Sequence, residues 1–163
     1  GQRAAVMVYY IPNGGPLDEK LFKAALQSKT DPNVPITVVE ASPIYFDLTV
    51  DVKSDGRRAK ADIKRDIQAA LLDEKKGILS QRNLRIGRPL FRSKVLEAVM
   101  GVDGVVSVTK ITPEAVTDSE LAEAGLPDRA VGAHEWRSDS RSFSIDRGCF
   151  PRLLDLSVGV VEQ

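Results

Sequence analysis

A chain of 163 residues and 17.8 kDa suits one domain or two small intimate ones, and it is long enough to bury a core without staples. Its 23 Lys and Arg balance 23 Asp and Glu, which argues against the basic face that nucleic-acid binding normally needs. Hydrophobic residues at 42% with 12 glycines exclude disorder as the default state.

One cysteine, Cys149, and one histidine, His134, exclude an intrachain disulfide and a Cys/His zinc cluster. The longest uncharged stretch, Ala4 to Leu17, contains Pro12, Gly14, Gly15 and Pro16, so it is no membrane span, and no signal peptide opens the chain. A soluble intracellular protein is expected. Gly1 in place of an initiating methionine suggests a fragment or a scar left by expression.

The first element in chain order is Ala4 to Ile11, an apolar, β-rich run read as a buried strand and closed by the turn Pro12 to Gly15. Pro16 sits where a helix begins, with Asp18 and Glu19 suited to its positive end. Leu17, Leu21, Phe22, Ala24 and Ala25 supply its apolar side, and it stops before Pro32. Ile36 to Glu40 is a second short strand.

After Pro43 comes the clearest pattern in the chain. Ile44, Phe46, Leu48, Val50 and Val52 alternate with Tyr45, Asp47, Thr49, Asp51 and Lys53, so one face lies in the core and one in water. Arg57 to Lys76 reads as a helix with the stripe Ile63, Ile67, Ala70 and Leu71, its charges forming a solvated face. Ile78 to Pro89 is a loop rich in Arg and Gly. Ser93 is the expected cap of a helix from Lys94 to Met100 with Val95, Leu96 and Val99 inward. Gly101 to Gly104 then turns into a strand from Val105 to Ile111.

The order β-α-β-β-α-α-β predicts an α+β fold with helices on one face of mixed sheets. We read two small βαβ-like lobes, residues 1–54 and 44–111, sharing the long strand. Residues 112–142 form a polar insertion or arm with one short helix, Asp118 to Ala124. Residues 143–163 form a closing β-hairpin, its strands Phe143 to Ile145 and Leu156 to Val160 flanking a turn from Asp146 to Pro151.

Chemistry is sparse. Cys149 and His134 could meet only through folding; a lone cysteine usually serves as a small hydrophobe, and a histidine in a polar arm as a surface residue. Asp47 and Asp51 share a strand face and could act as an acid/base pair, but alternation alone places such charges in water. Gly14-Gly15 lacks the Lys-Ser/Thr of a phosphate cradle. No catalytic residue, cofactor or metal is therefore assigned.

Arg82, Arg85, Arg88 and Arg92 lie within eleven residues, and guanidinium forks suit phosphates or carboxylates. With no net charge, an acidic protein surface is the favoured partner over nucleic acid. Trp136 and Phe143 flank a charged segment, as interface anchors do. These six residues form the candidate protein interface.

Several strings, taken in order, resemble the C-terminal part of the baseplate J-like proteins, wedge components of contractile phage tails and related injection systems. They are Ala5-Val-Met-Val-Tyr-Tyr-Ile-Pro12, Val38-Val-Glu-Ala-Ser-Pro-Ile-Tyr-Phe-Asp-Leu-Thr-Val-Asp-Val52 and the helix end Ala69-Ala-Leu-Leu72. Ile86-Gly-Arg-Pro-Leu-Phe-Arg-Ser93 and Val95-Leu-Glu-Ala-Val-Met-Gly-Val-Asp-Gly-Val-Val-Ser-Val108 follow. The closing Ile145-Asp-Arg-Gly-Cys-Phe-Pro-Arg-Leu-Leu-Asp-Leu-Ser-Val158 resembles the family's last hairpin, where a Pro-x-Leu turn precedes the final strand. Residues 113–142 are longer than the family pattern, and its N-terminal portion has no counterpart here.

The resemblance implies a structural, non-enzymatic subunit. It would pack against copies of itself and other wedge subunits in a ring around the tail tube, with no membrane or nucleic-acid partner. It would sit in the bacterial cytoplasm during assembly and then in the baseplate. The competing expectation is a small-molecule-sensing or regulatory α+β module, since such arrangements bind ligands at strand or dimer edges.

Overall fold

The computed structural model describes residues 5–12, 18–116, 118–125, 137–138, 142–144 and 148–163. Along the chain run β1 (Val6–Tyr10), α1 (Glu19–Gln27), β2 (Ile36–Glu40), β3 (Ser42–Ser54), α2 (Lys60–Leu72) and β4 (Leu90–Phe91). They are followed by α3 (Arg92–Met100), β5 (Val105–Ala115), α4 (Asp118–Glu123), β6 (Arg137–Ser138), β7 (Ser142–Ser144) and β8 (Cys149–Glu162). This is the α+β class that the element order predicts.

The alternation in β3 sets the architecture. Ile44, Phe46, Leu48, Val50 and Val52 are all buried, because period two puts them on one side of the pleat. β3 is the middle of a three-stranded sheet in the order β5-β3-β8, antiparallel to β5 and parallel to β8. Ile63, Ile67 and Leu71 of α2, with Val95 and Val99 of α3, join Phe46 to Val52 in the main core. Leu96 is 41% exposed rather than inward, since Val95 and Val99, four apart, already fill the contact face of so short a helix. On the other face of β3, α4 adds a small cover, with Leu121 and Val116 packed on Tyr45.

β1 and β2 pair in parallel as a separate two-stranded sheet, with α1 as the crossover, so the first unit is a βαβ. The second is not. β3 and β5 are antiparallel, and the parallel partner of β3 is the remote β8. The two closing segments are strands, and among the described residues they do not pair with each other. β7 pairs with β4 and β6. Of the expected turn from Asp146 to Pro151, the residues from Cys149 on are already the start of β8, and Asp146 and Arg147 lie outside the described residues. β8 is an edge strand, where the missing N–H of Pro151 is tolerated.

Helix boundaries follow local chemistry. Asp18 is the N-cap of α1, its Oδ1 accepting from the N–H groups of Lys20 at 3.0 Å and Leu21 at 3.2 Å, which satisfies otherwise orphaned donors. The apolar side of α1 is only partly used. Phe22 meets Tyr10 edge-on at 5.8 Å, but Leu21 is 70% exposed and Ala24 and Ala25 are also exposed. Two strands are too narrow to cover a whole helix face. Ser93 is not the cap of α3; the helix starts two residues earlier than expected, at Arg92, with Phe91 at the N-cap position and no side-chain cap bond. Nor is β1 a buried strand, since Val6 and Met7 are 46% and 55% exposed.

Arg58 ties the start of α2 to the turn after α3. It donates to Asp66 Oδ2 at 2.6 Å and to the Asp103 carbonyl at 2.9 Å, so one charge of the expected solvated face is a structural pair. Its guanidinium holds the Asp66 carboxyl below the usual range.

Candidate functional site: an arginine and tyrosine cleft

The loop after α2 is a chain of short turns on apolar feet. Leu79, Leu84 and Leu90 are buried in the main core, and the intervening arginines are turned outward. Leu79 N–H donates to the Leu71 carbonyl at 3.0 Å, and Leu84 N–H to the Ser80 carbonyl at 3.0 Å. Asn83 Nδ2 holds the Gly77 carbonyl at 2.7 Å. Gly77 permits this fold-back, because a Cβ there would lie 2.5 Å from both the Asp73 nitrogen and the Leu71 oxygen, a contact that backbone cannot relieve.

The far end of the loop is fixed to β8, where Gly87 N–H donates to the Cys149 carbonyl at 2.8 Å. Cys149 itself is buried against Ile44, in the setting of a small hydrophobe. Next to it, Gly148 has φ +80, and a Cβ would fall 2.5 Å from the Tyr9 ring. Only glycine lets β1 rest on the start of β8 in this way. The arginine loop and the end of β1 therefore converge at one place.

There they line a wide-mouthed cleft of about 410 Å³, formed by Tyr9, Tyr10 and Ile11 on one side and the loop from Gln81 to Arg88 on the other. Arg82, Arg85 and Arg88 all contribute to it and are exposed. No described carboxylate lies within ion-pair distance of any of them. The Tyr10 hydroxyl donates to Glu19 Oε1 at 2.8 Å, and that bond, ahead of burial and the nearby charges, pushes its pKa up to about 12. The cleft thus offers guanidinium donors beside aromatic and aliphatic walls, which suits carboxylate groups attached to an apolar backbone.

Of the sequence candidates, three arginines meet in this cleft, and Arg92 does not. Arg92 stands in the first turn of α3 and is half-buried outside it. Phe143 belongs to β7 and pairs with Leu90 through its backbone, its side chain lying outside the described residues. Trp136 and His134 lie outside them altogether. Sequence reasoning missed Tyr9, Tyr10 and Ile11, whose proximity to the loop depends on long-range packing through Gly148.

The Asp47 and Asp51 pair is on the face turned away from α2 and α3. Asp47 is half-buried rather than free in water, and stands opposite Glu114 of β5 and Asp155 of β8. Burial, then the Asp155 charge, raise its pKa above the ordinary 3.8. The folded state therefore holds this proton more tightly than the unfolded chain. Stability is lost as pH rises through the folded pKa and is regained in acid. Asp47→Asn should stabilise the protein at pH 7 by roughly 0.5 kcal/mol, the scale of a relieved like-charge cross-strand pair. The gain should vanish below the unfolded aspartate pKa, as thermal melts across pH will show.

Among the described residues no group of three or more His, Cys, Asp and Glu is placed to hold a metal ion, and no helix is long and apolar enough to cross a membrane. Compared with known proteins, the chain matches no family model and no curated protein.

Proposed function

We propose that this chain is a structural wedge subunit of a phage-tail-like baseplate, acting through protein contacts rather than catalysis. The observation that carries the reading is the arginine and tyrosine cleft, with cations turned outward and no described carboxylate paired to them. Exposed arginines beside aromatics are characteristic of protein interfaces. Support also comes from the strings resembling the baseplate J-like proteins, which fall in chain order on β1, β2 to β3, α2, the loop into α3, α3 to β5, and β8. The partners are other wedge subunits and further copies of the chain, met in the bacterial cytoplasm during assembly and kept in the finished particle.

A second reading, a small-molecule-sensing module, is favoured by the cleft volume of about 410 Å³, which lies in the range of ligand sites. Saturating ligand would then raise the melting temperature. The assembly reading is tested by immunolabelled electron microscopy of tail-like particles from the source organism. It requires label at one end of the particle.

A further inference from the structure

The cleft continues into a strand edge that is unpaired among the described residues. Val6 N–H donates to the Pro35 carbonyl at 3.0 Å, and Ala41 N–H donates to the Tyr10 carbonyl at 2.8 Å. In a parallel ladder alternate residues turn both backbone groups to the partner strand, so Val6, Val8 and Tyr10 face β2. The N–H and C=O groups of Met7 and Tyr9 point to the opposite edge, where no described strand pairs with them.

Two-stranded parallel sheets with an uncovered edge are rare, because parallel sheets are normally buried. Val6 and Met7, 46% and 55% exposed, leave apolar surface on this edge. Such an edge is a ready template for another strand. It meets the cleft at Tyr9, whose backbone lies on this edge and which also lines the cleft. Among the described residues the cleft lining includes Arg82, Arg85 and Arg88 but no Asp or Glu.

We infer that the open edge of β1 and the arginine cleft form one docking site for an extended acidic segment of a partner chain. The segment adds as a strand against Met7 and Tyr9, and its carboxylates reach the three arginines of the cleft. Strand addition supplies affinity through the backbone, and the arginines select acidic side chains. The inference rests on reading the chain as an assembly subunit and names the kind of partner that its cleft takes.

The test uses a fluorescein-labelled peptide of alternating Glu and Val, about six residues long as in an ordinary strand, titrated with the whole chain by fluorescence anisotropy. Saturable binding is expected. The variant R82E/R85E/R88E should bind roughly tenfold more weakly or worse, having lost charge-assisted bonds, while its circular dichroism spectrum stays unchanged. The same peptide N-methylated at alternate residues, unable to extend a sheet, should also lose binding.

Failure of the peptide to bind overturns the inference. So does equal binding of the N-methylated peptide together with displacement by inorganic phosphate, which makes the cleft a simple anion site. Concentration-dependent self-association of the chain that blocks the peptide would assign the cleft to a second copy instead. Because the peptide is tested on the isolated chain, its failure leaves the location of the chain on particles standing. Absence from particles likewise leaves peptide binding standing.

Discussion

Phe46→Ala should cost about 3–5 kcal/mol, the usual range for a fully buried phenylalanine. The side chain is fully buried in β3 and belongs to the cluster that contains Leu48, Ile63, Ile67 and Val95. Truncation removes its transfer energy and leaves a cavity that two helices and a three-stranded sheet cannot close without moving together. Against a typical total of about 5–15 kcal/mol, the variant loses a large share of its stability and melts on the order of 10 °C lower. Leu21→Ala is the control. Leu21 is equally apolar but 70% exposed, so its loss should move stability by no more than about 0.5 kcal/mol. Chemical denaturation of both variants checks the pair, and equal effects would contradict the placement of the core.

The second large effect is on assembly. Reversing charge with R82E/R85E/R88E should lower the yield of tail-like particles by about an order of magnitude or more, because opposed like charges at an interface cost several kcal/mol. The isolated chain should keep its fold. All three positions are exposed, and surface substitutions of this kind usually shift stability by about 0.5 kcal/mol or less each. Particle yield from a complemented strain, beside melting curves of the purified variant, separates a lost contact from a lost fold. Unchanged yield would remove these arginines from the interface.

How much of this was legible in the sequence depends on how local each feature is. The core strand was readable because alternation is written in consecutive residues, and all five apolar positions from Ile44 to Val52 are buried. The stripe of α2 was readable for the same reason, with Ile63, Ile67 and Leu71 fully buried. Pairing was not legible. Nothing local tells Leu156 to Val160 that its partner is β3 in parallel, across about a hundred residues of chain, rather than the nearby segment at Phe143.

Burial of short apolar runs was the other failure. Ala4 to Ile11 has the composition of a buried strand, yet among the described residues β1 has only one strand beside it and keeps Val6 and Met7 exposed. Composition records what a segment could bury, while topology decides whether anything arrives to cover it. The candidate site divides along the same line. Arg82, Arg85 and Arg88 stood out by density in the sequence, and turns on Leu79, Leu84 and Leu90 aim them outward. The tyrosine wall of the cleft is set by the close approach of Tyr9 to Gly148, residues too far apart in sequence for any periodicity to connect.

That the chain works by presenting surfaces within a larger particle is tested most directly by locating it. Tail-like particles from the source organism, labelled with an antibody against this chain and viewed by electron microscopy, should carry label at one end, on the baseplate. Particles with accessible baseplates that carry no label, with the protein recovered only in the free soluble fraction, would contradict the account.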